Sequence, residues 1–183
     1  VDAVGREVLS TTATELEVEE VARFGEHRDR LDEWWYAQAP RHPFAIVRDA
    51  DWLAWRFDAC PWLPHRRFLL RARDGRIRGW FATRSRWQGQ PILAISDLLV
   101  DPDDAVAMAT LLRHATRLAR ETAHGRVELW LPDTHPTFRH ALAAGFRTQP
   151  GCCVMVLQLR ADAMTRAAAR AACYYTIADS DIW

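Results

Sequence analysis

Hydrophobic residues recur along this chain at two spacings, which separate predicted helices from predicted strands. The clearest helical spacing covers Ala105–Thr122, where one face is apolar and the other carries arginine, histidine and glutamate. Gly125 ends this helix, and the apolar run Val127–Leu131 that follows at once is typical of a strand. A second strand-like run, Ile92–Val100, precedes the helix. Two strands joined through a helix by short loops favour parallel pairing.

The chain before Ile92 is predicted to form one strand, two helices and a hairpin. The elements are a strand over Glu17–Phe24, helices over Glu26–Ala39 and Ala50–Asp58, and strands over Arg67–Arg73 and Arg76–Arg84. Asp49 is a suitable N-cap for the second helix. Asp74 and Gly75 lie between the last two runs, and an Asp-Gly pair in that position is the strongest short signal for a hairpin.

Four further elements are predicted after Leu131. They are a short helix over Pro136–Ala144, an apolar strand over Cys152–Leu159, an alanine-rich helix over Ala161–Ala172 and a last strand over Tyr174–Ile177. Residues 1–16 lack periodicity and are predicted to be a flexible lead or linker. The remainder, residues 17–183, has the length of a single domain.

Composition and charge exclude several classes of protein. The 24 basic and 24 acidic residues balance, which argues against nucleic-acid binding driven by bulk charge. No apolar run approaches the ~20 residues of a membrane span, and no secretory signal is visible. Every basic residue is arginine, so a lysine Schiff base cannot form. The four cysteines include no CxxC pair, so we expect no metal site and predict buried thiols in a reducing compartment, the cytoplasm.

Two local motifs resemble the GNAT superfamily of N-acyltransferases. Residues 48–57 read R-D-A-D-W-L-A-W-R-F, which is similar to the signature R-D-x-x-Y/W-L-x-W-R-F/Y of a bacterial subgroup. Ala144-Gly145-Phe146 resembles the L-G-F that closes the fourth helix of most members. The order of elements over about residues 17–178 also resembles this family. The resemblance implies an α+β fold of three layers, with helices flanking a mixed, mostly antiparallel central sheet.

The resemblance also implies a coenzyme and an acceptor. The acyl donor would be acetyl-CoA or another acyl-CoA, and the acceptor would be a small-molecule amine or an amino sugar. The strand Ile92–Val100 would bind the pantetheine through its backbone, and the N-terminus of the next helix would bind the pyrophosphate. The implied contacts are Leu98, Leu99 and Val100 for the pantetheine, and Ala105, Val106 and Arg113 for the pyrophosphate.

The turn before this helix departs from the family pattern. The family reads Q/R-x-x-G-x-G/A, whereas Asp101-Pro102-Asp103-Asp104 contains neither glycine nor arginine. The acids would repel a pyrophosphate, since one like-charge contact at ~4 Å costs about 4 kcal/mol at an effective dielectric near 20. An aspartate at a helix N-terminus is also a good cap, so capping is the other interpretation.

Two acidic residues are candidate bases. Asp97 lies among apolar residues of a predicted strand, so its pKa could be raised and it could accept a proton from an amine. Its alternative role is a structural acid bonded to an arginine or to backbone. Glu128 lies beside Trp130 on the polar side of the next strand and could act through a water, or be a surface acid.

A tyrosine acid is the other implied catalytic group. Many members place one five residues before the phenylalanine that closes the fourth helix, and Ala141 occupies that position here. Tyr174 or Tyr175 could take its place as the acid for the leaving thiolate, and Tyr174 is the candidate that we carry forward. His135 and His140 flank the same helix near the implied site, and solvated surface histidines are the simpler interpretation.

Nine tryptophans are many for 183 residues. Five lie in the first third of the chain: Trp34, Trp35, Trp52, Trp55 and Trp62. They indicate either a core built on aromatic area or a stacking platform for a sugar or aromatic acceptor.

The leading functional prediction is an N-acyltransferase. The alternative is a degenerate, non-catalytic GNAT-fold domain that acts as a binding module, as one half of a tandem protein. Neither prediction involves a membrane or a nucleic acid, while a homodimer or an upstream domain is compatible with both.

Overall fold

A five-stranded sheet organises the computed structural model, which describes residues 16–87, 89, 91–149 and 165–179. The strands are β1 Glu17–Val21, β2 Arg66–Arg71, β3 Ile77–Trp87, β4 Pro91–Val100 and β5 Arg126–Leu129. They follow one another across the sheet in chain order, and every pair is antiparallel except β4 with β5. The predicted mixed, mostly antiparallel sheet is confirmed, as is the parallel pair on either side of the long helix.

Helices cover both faces of the sheet. They are α1 Arg28–Gln38, α2 Ala50–Leu53, α3 Ala105–Glu121, α4 Pro136–Ala143 and α5 Arg166–Ala172. Short 3-10 turns cover Phe24–His27, Ala39–Arg41 and Ile177–Asp179, and a π-helical turn over Ala54–Asp58 extends α2. The predicted cap is confirmed, because the Asp49 carboxylate accepts the Trp52 N–H at 2.9 Å.

The sheet separates two hydrophobic clusters because alternate strand residues face opposite sides. On the side of α3 and α4, Phe68 and Phe81 stack with their ring centroids 4.6 Å apart, against Leu111. On the side of α1 and α2, Trp80 packs edge-on against Phe24. The result is the three-layer α+β fold.

The last predicted strand, Tyr174–Ile177, is wrong. The residue before this stretch, Cys173, forms an isolated bridge with Phe44, and the stretch itself runs into the 3-10 turn. The reason is local: the Thr176 N–H donates to the Asp179 carboxylate at 2.8 Å rather than to a strand. The predicted strand Cys152–Leu159 lies outside the described residues.

The sheet opens between β4 and β5. The two strands pair only over Ile92–Ile95 and Arg126–Leu129, although β4 continues to Val100. A bulge lies where the pairing stops, because the register with β3 shifts and leaves Ser96 without a partner. A gap therefore forms beside the second half of β4, with no described strand filling it.

None of the helices in the described part of the chain is long and apolar enough to cross a membrane.

Candidate functional site

The gap contains residues 173–179, here called the closing segment. The Tyr174 O–H donates to the Leu98 carbonyl, and the Tyr174 side chain is fully enclosed. The Leu98 N–H donates to the Asp97 carboxylate at 2.9 Å. Since both backbone groups of a strand residue point to the same edge, Leu98 presents both to the gap. Both are bonded within the chain.

A buried guanidinium lies behind the gap. Arg48 is 0% exposed, and its Nε lies 3.1 Å from Asp97 Oδ2. Its Nη2 lies 2.5 Å from Asp179 Oδ2, and its Nη1 donates to the Ile46 carbonyl at 3.1 Å. One cation therefore holds two carboxylates that come from β4 and from the closing segment.

The Asp97 carboxylate is bonded on three sides. Besides Arg48 and the Leu98 N–H, it accepts the Thr176 hydroxyl at 2.7 Å. Burial raises the pKa of Asp97, and the Arg48 charge opposes that rise. The structural interpretation of Asp97, an acid bonded to an arginine and to backbone, describes these contacts directly.

The R-D-x-x-W motif supplies much of this arrangement. Arg48 lies between two aromatic rings, 5.3 Å from the Trp52 centroid and 5.1 Å from the Tyr174 centroid. Asp49 caps α2 and so fixes the helical backbone from which the Trp52 side chain projects. The motif residues thus bury a charge beside the gap and stack on it.

Two buried histidines complete the wall around Tyr174. The His42 and His135 ring centroids are 5.3 Å apart, and they lie 5.0 and 4.7 Å from the Tyr174 centroid. Burial lowers the pKa of each histidine to about 4. The expectation of a solvated His135 is wrong, because its Nδ1 caps α4 and pairs with the Thr137 hydroxyl at 2.6 Å.

Several buried polar atoms in this part of the structure have no hydrogen-bond partner. Among the described residues they include both ring nitrogens of His42, Nε2 of His135 and the hydroxyl of Ser96, the extra residue of the bulge. Most buried polar groups in proteins are paired, and an unpaired one costs roughly 1–3 kcal/mol. Such a cluster is typical of a place built to meet a polar ligand or water.

The acidic turn is partly neutralised by two arginines from other parts of the chain. Arg41 binds Asp101 at 2.5 Å and also binds Asp103, while Arg78 binds Asp104 at 2.5 Å. The capping interpretation of this turn is confirmed, because Asp104 is the N-cap of α3 and accepts the Ala107 N–H at 3.0 Å. Two arginines offset three acids, which leaves a formal charge of 2 − 3 = −1.

The helix N-terminus offers few free donors to a pyrophosphate. The Ala105 N–H donates to the Asp103 carbonyl at 3.1 Å. Val106 is 43% exposed and Arg113 projects into solvent from the third turn of α3. Sequence spacing could not have revealed Arg41, which pairs across 60 residues.

Glu128 lies on β5, apart from the Tyr174 cluster. Its Oε1 accepts the Trp130 indole N–H at 3.2 Å and lies 3.4 Å from Arg86. It lines a groove of about 580 Å³ together with Tyr175 and Phe146. The structure therefore brings Asp97 and Tyr174 together at Leu98 and leaves Glu128 in a separate, more open position.

The fold is that of GNAT acetyltransferases. An aminoglycoside 6′-N-acetyltransferase from Acinetobacter baumannii superposes with a TM-score of 0.52 at 11% identity, over 80% of this chain and 100% of that one. A ribosomal-protein-alanine N-acetyltransferase from Brucella melitensis gives 0.55 at 12%, over 79% and 100%. A tandem GNAT protein of the clavulanic acid pathway gives 0.51 at 23%, over 72% of this chain but 43% of that one.

The similarity rests on structure. No family model matches the sequence, and the curated proteins gave no match. At identities this low the solved structures establish the fold, and the resemblance to the GNAT superfamily is confirmed at that level.

Removing the buried guanidinium should destabilise the protein strongly. Arg48→Met keeps most of the volume but leaves Asp97 and Asp179 buried without a cation, which should cost about 3–5 kcal/mol of unfolding free energy. Urea denaturation measures this. The matched control is Arg28→Met, whose partner Asp51 is well exposed, so little or no loss of unfolding free energy is expected. Equal losses in the two variants would contradict the role given to Arg48.

The histidine pair should make stability depend on acid. The folded-state pKa values lie near 4, below the ordinary 6.5, so the unfolded chain binds these protons first and stability is lost as the pH falls from 6.5 towards 4. His42→Phe should lower the slope of unfolding free energy against pH by about 1.4 kcal/mol per pH unit near pH 5. Urea titrations across this range test it, and an unchanged slope would show that His42 titrates normally.

Proposed function

We propose that this protein is an N-acyltransferase that moves an acetyl or longer acyl group from acyl-CoA to an amine. The observation that carries the proposal is the gap beside β4 in a GNAT fold, at whose edge Leu98 presents its backbone N–H and carbonyl. Both acetyltransferases compared above are named for amine acceptors, an aminoglycoside and a protein alanine, which supports the reaction class.

The roles of the chain's residues follow from their contacts. The backbone of Leu98 and Val100 faces the gap and would hold the pantetheine. The acceptor nitrogen attacks the thioester carbonyl, so that a C–N bond forms and the C–S bond breaks. Tyr174 lies beside Leu98, and burial raises the pKa of its phenol, so it stays protonated. Once the pantetheine has displaced it from the Leu98 carbonyl, its O–H would be available to give a proton to the thiolate.

Glu128 is the proposed base for the acceptor amine. Its Oε2 has no hydrogen-bond partner in the described structure and lies 3.9 Å from Arg126, while Arg86 lies 3.4 Å from its Oε1. Asp97 is the weaker candidate, because its carboxylate already accepts bonds from Arg48, Thr176 and Leu98. The proton lost by the amine would reach Glu128 through a water.

The pyrophosphate would have to compete with the aspartates of the acidic turn for two arginines. Arg41 and Arg78 lie at the N-terminus of α3, where anions are favoured, but they are engaged by Asp101, Asp103 and Asp104. A phosphate that drew either arginine away would leave an aspartate unpaired. We therefore expect weak coenzyme affinity from this end of the site.

An amino sugar is the proposed acceptor class. Trp35 and Trp80 are buried and belong to the core, whereas Trp55 is 65% exposed and Trp62 is 83% exposed. Exposed tryptophan rings offer flat apolar faces on which a sugar ring can stack. The two residues follow α2, the element that also holds Arg48 in place.

A non-catalytic role is the second candidate. It is favoured by the internal bonds at Leu98 and by the capped N-terminus of α3, which together occupy both expected coenzyme contacts. The chain also spans less than half of the tandem GNAT protein, so a place as one unit of a tandem protein fits either role. We propose a cytoplasmic location, since Cys60 and Cys173 are free thiols.

Coenzyme titration tests the proposal. Acetyl-CoA at 100 times its Kd should add about 2.7 kcal/mol to the unfolding free energy, seen as a rise in Tm. Acetyl-pantetheine, which lacks the pyrophosphate, should bind through the gap alone. No stabilisation by either compound at millimolar concentration, together with no thiol release in the presence of amino sugars, would favour the non-catalytic role.

Glu128→Gln should separate chemistry from binding. Loss of a general base lowers kcat by about 10²–10⁴, while the Kd for acetyl-CoA should stay unchanged because Glu128 lies on β5 rather than beside Leu98. The readout is the free thiol released with an amine acceptor. Glu121→Gln, at an exposed site on α3, is the matched control. An unchanged kcat for Glu128→Gln would remove this residue from the proposed mechanism.

A further inference from the structure

We propose that the closing segment is a gate on the coenzyme gap, and that Tyr174 must release Leu98 before the pantetheine can bind. This inference rests on the proposed function, because it names what controls access to the same site. It goes beyond that function by assigning the protein a closed state.

The gate is closed by hydrogen bonds that the coenzyme would need. The Leu98 carbonyl accepts the Tyr174 O–H, and the Leu98 N–H donates to Asp97. A ligand chain that runs along this edge of β4 requires the same two groups. Tyr174 and a pantetheine amide therefore cannot occupy Leu98 together.

The two Leu98 contacts are linked through the segment itself. Asp97 accepts the Thr176 hydroxyl at 2.7 Å, and Thr176 lies two residues after Tyr174. Withdrawal of the segment would remove both the tyrosine from the carbonyl and one of the donors that orient Asp97 over the N–H. One movement thus frees the Leu98 carbonyl and loosens the carboxylate over the N–H, although Arg48 still holds Asp97.

The segment is held by ion pairs near its two ends, and the side chains of Tyr174, Thr176 and Ile177 are buried between them. At one end the α5 residue Arg170 pairs with Asp133 at 2.7 Å, on the surface. At the other end Asp179 binds the buried Arg48. Between them the backbone has a single bridge, with the Tyr174 N–H donating to the Phe44 carbonyl at 3.0 Å.

The loop that covers the closing segment is itself largely exposed to solvent. Phe44 belongs to the loop before Arg48, and Phe44, Ile46 and Val47 are 45%, 46% and 51% exposed. Segments with few backbone bonds and exposed neighbours open at lower free energy than packed strands. Opening therefore breaks few backbone bonds but exposes buried side chains, so the open state is a minor population of the folded protein.

A gate of this kind has a measurable cost. The apparent Kd of the coenzyme equals the intrinsic Kd divided by the open fraction. Tyr174→Phe removes one hydrogen bond that exists only in the closed state, which should raise the open fraction by about fivefold. The apparent Kd for acetyl-CoA should fall by up to the same factor.

The experiment compares the wild-type protein with Tyr174→Phe and with the matched control Tyr175→Phe. Tyr175 is the next residue but lines the groove beside Glu128 rather than the gap. Calorimetry gives the Kd for acetyl-CoA, and thiol release gives kcat. We expect Tyr174→Phe alone to bind tighter, by about fivefold, yet turn over more slowly, since it lacks the proposed acid.

Cys173 gives a second, independent readout. It adjoins Tyr174, is 8% exposed, and has a thiol whose pKa is raised by burial. An open gate should expose it, so saturating acetyl-CoA should speed its alkylation by iodoacetamide. Cys60, which is already half-buried and away from the segment, should show no change. Mass spectrometry resolves the two sites and needs no turnover.

The outcomes separate the gate from the function. If the wild type binds acetyl-CoA but Tyr174→Phe has the same Kd within twofold and Cys173 labelling does not respond, the gate is wrong and the acyltransferase stands. If none of the three proteins binds acetyl-CoA or releases thiol, the proposed function fails and the gate fails with it. Tighter binding with faster Cys173 labelling supports the gate. Thermal melts confirm that both phenylalanine variants are folded.

Discussion

The fold around the site depends on one buried cation. Arg48 joins the loop before α2, strand β4 through Asp97, and the closing segment through Asp179. Burying a charge is expensive unless it is paired and hydrogen-bonded, so the three parts of the chain must meet in register. Trp52 and Tyr174 lie against the guanidinium and keep water from it. The geometry of Leu98 and of Tyr174 follows from this one contact.

The charges at the N-terminus of α3 differ from those that the GNAT pattern would place there. The family pattern has glycine and arginine within the turn before α3, whereas this chain has aspartates there. Its arginines, Arg41 and Arg78, come from other elements and contact the turn in the folded structure. The local charge at the N-terminus of α3 is therefore close to balanced rather than strongly negative. The sequence of the turn alone therefore overestimates how strongly it repels a phosphate. The arginines do not make the turn an anion-binding site either, because they are already paired with its aspartates.

Local signals predicted most of the fold. The Asp74-Gly75 hairpin formed because Gly75 adopts a φ of +81°, and α3 formed with its apolar face inward. The site was harder to predict from the sequence, because its contacts are long-range. The tyrosine of the closing segment, for example, donates a hydrogen bond to β4 across 76 residues. Tyr174–Ile177 has the composition of a strand, but Asp179 captures its backbone. His42 carried no signal at all, since burial is decided by the three-dimensional neighbourhood rather than by spacing.

The Arg48 network also bears on how the protein is made. Asp179 is synthesised 131 residues after Arg48, and Asp97 comes 49 residues after it. On the ribosome, Arg48 and Asp97 can meet long before the second carboxylate exists, and contacts of such sequence separation form slowly. During that interval the nascent sheet has its edge at Leu98 uncovered. The newly made chain is thus exposed to wrong strand pairing at the same edge of β4 that the proposed coenzyme site uses.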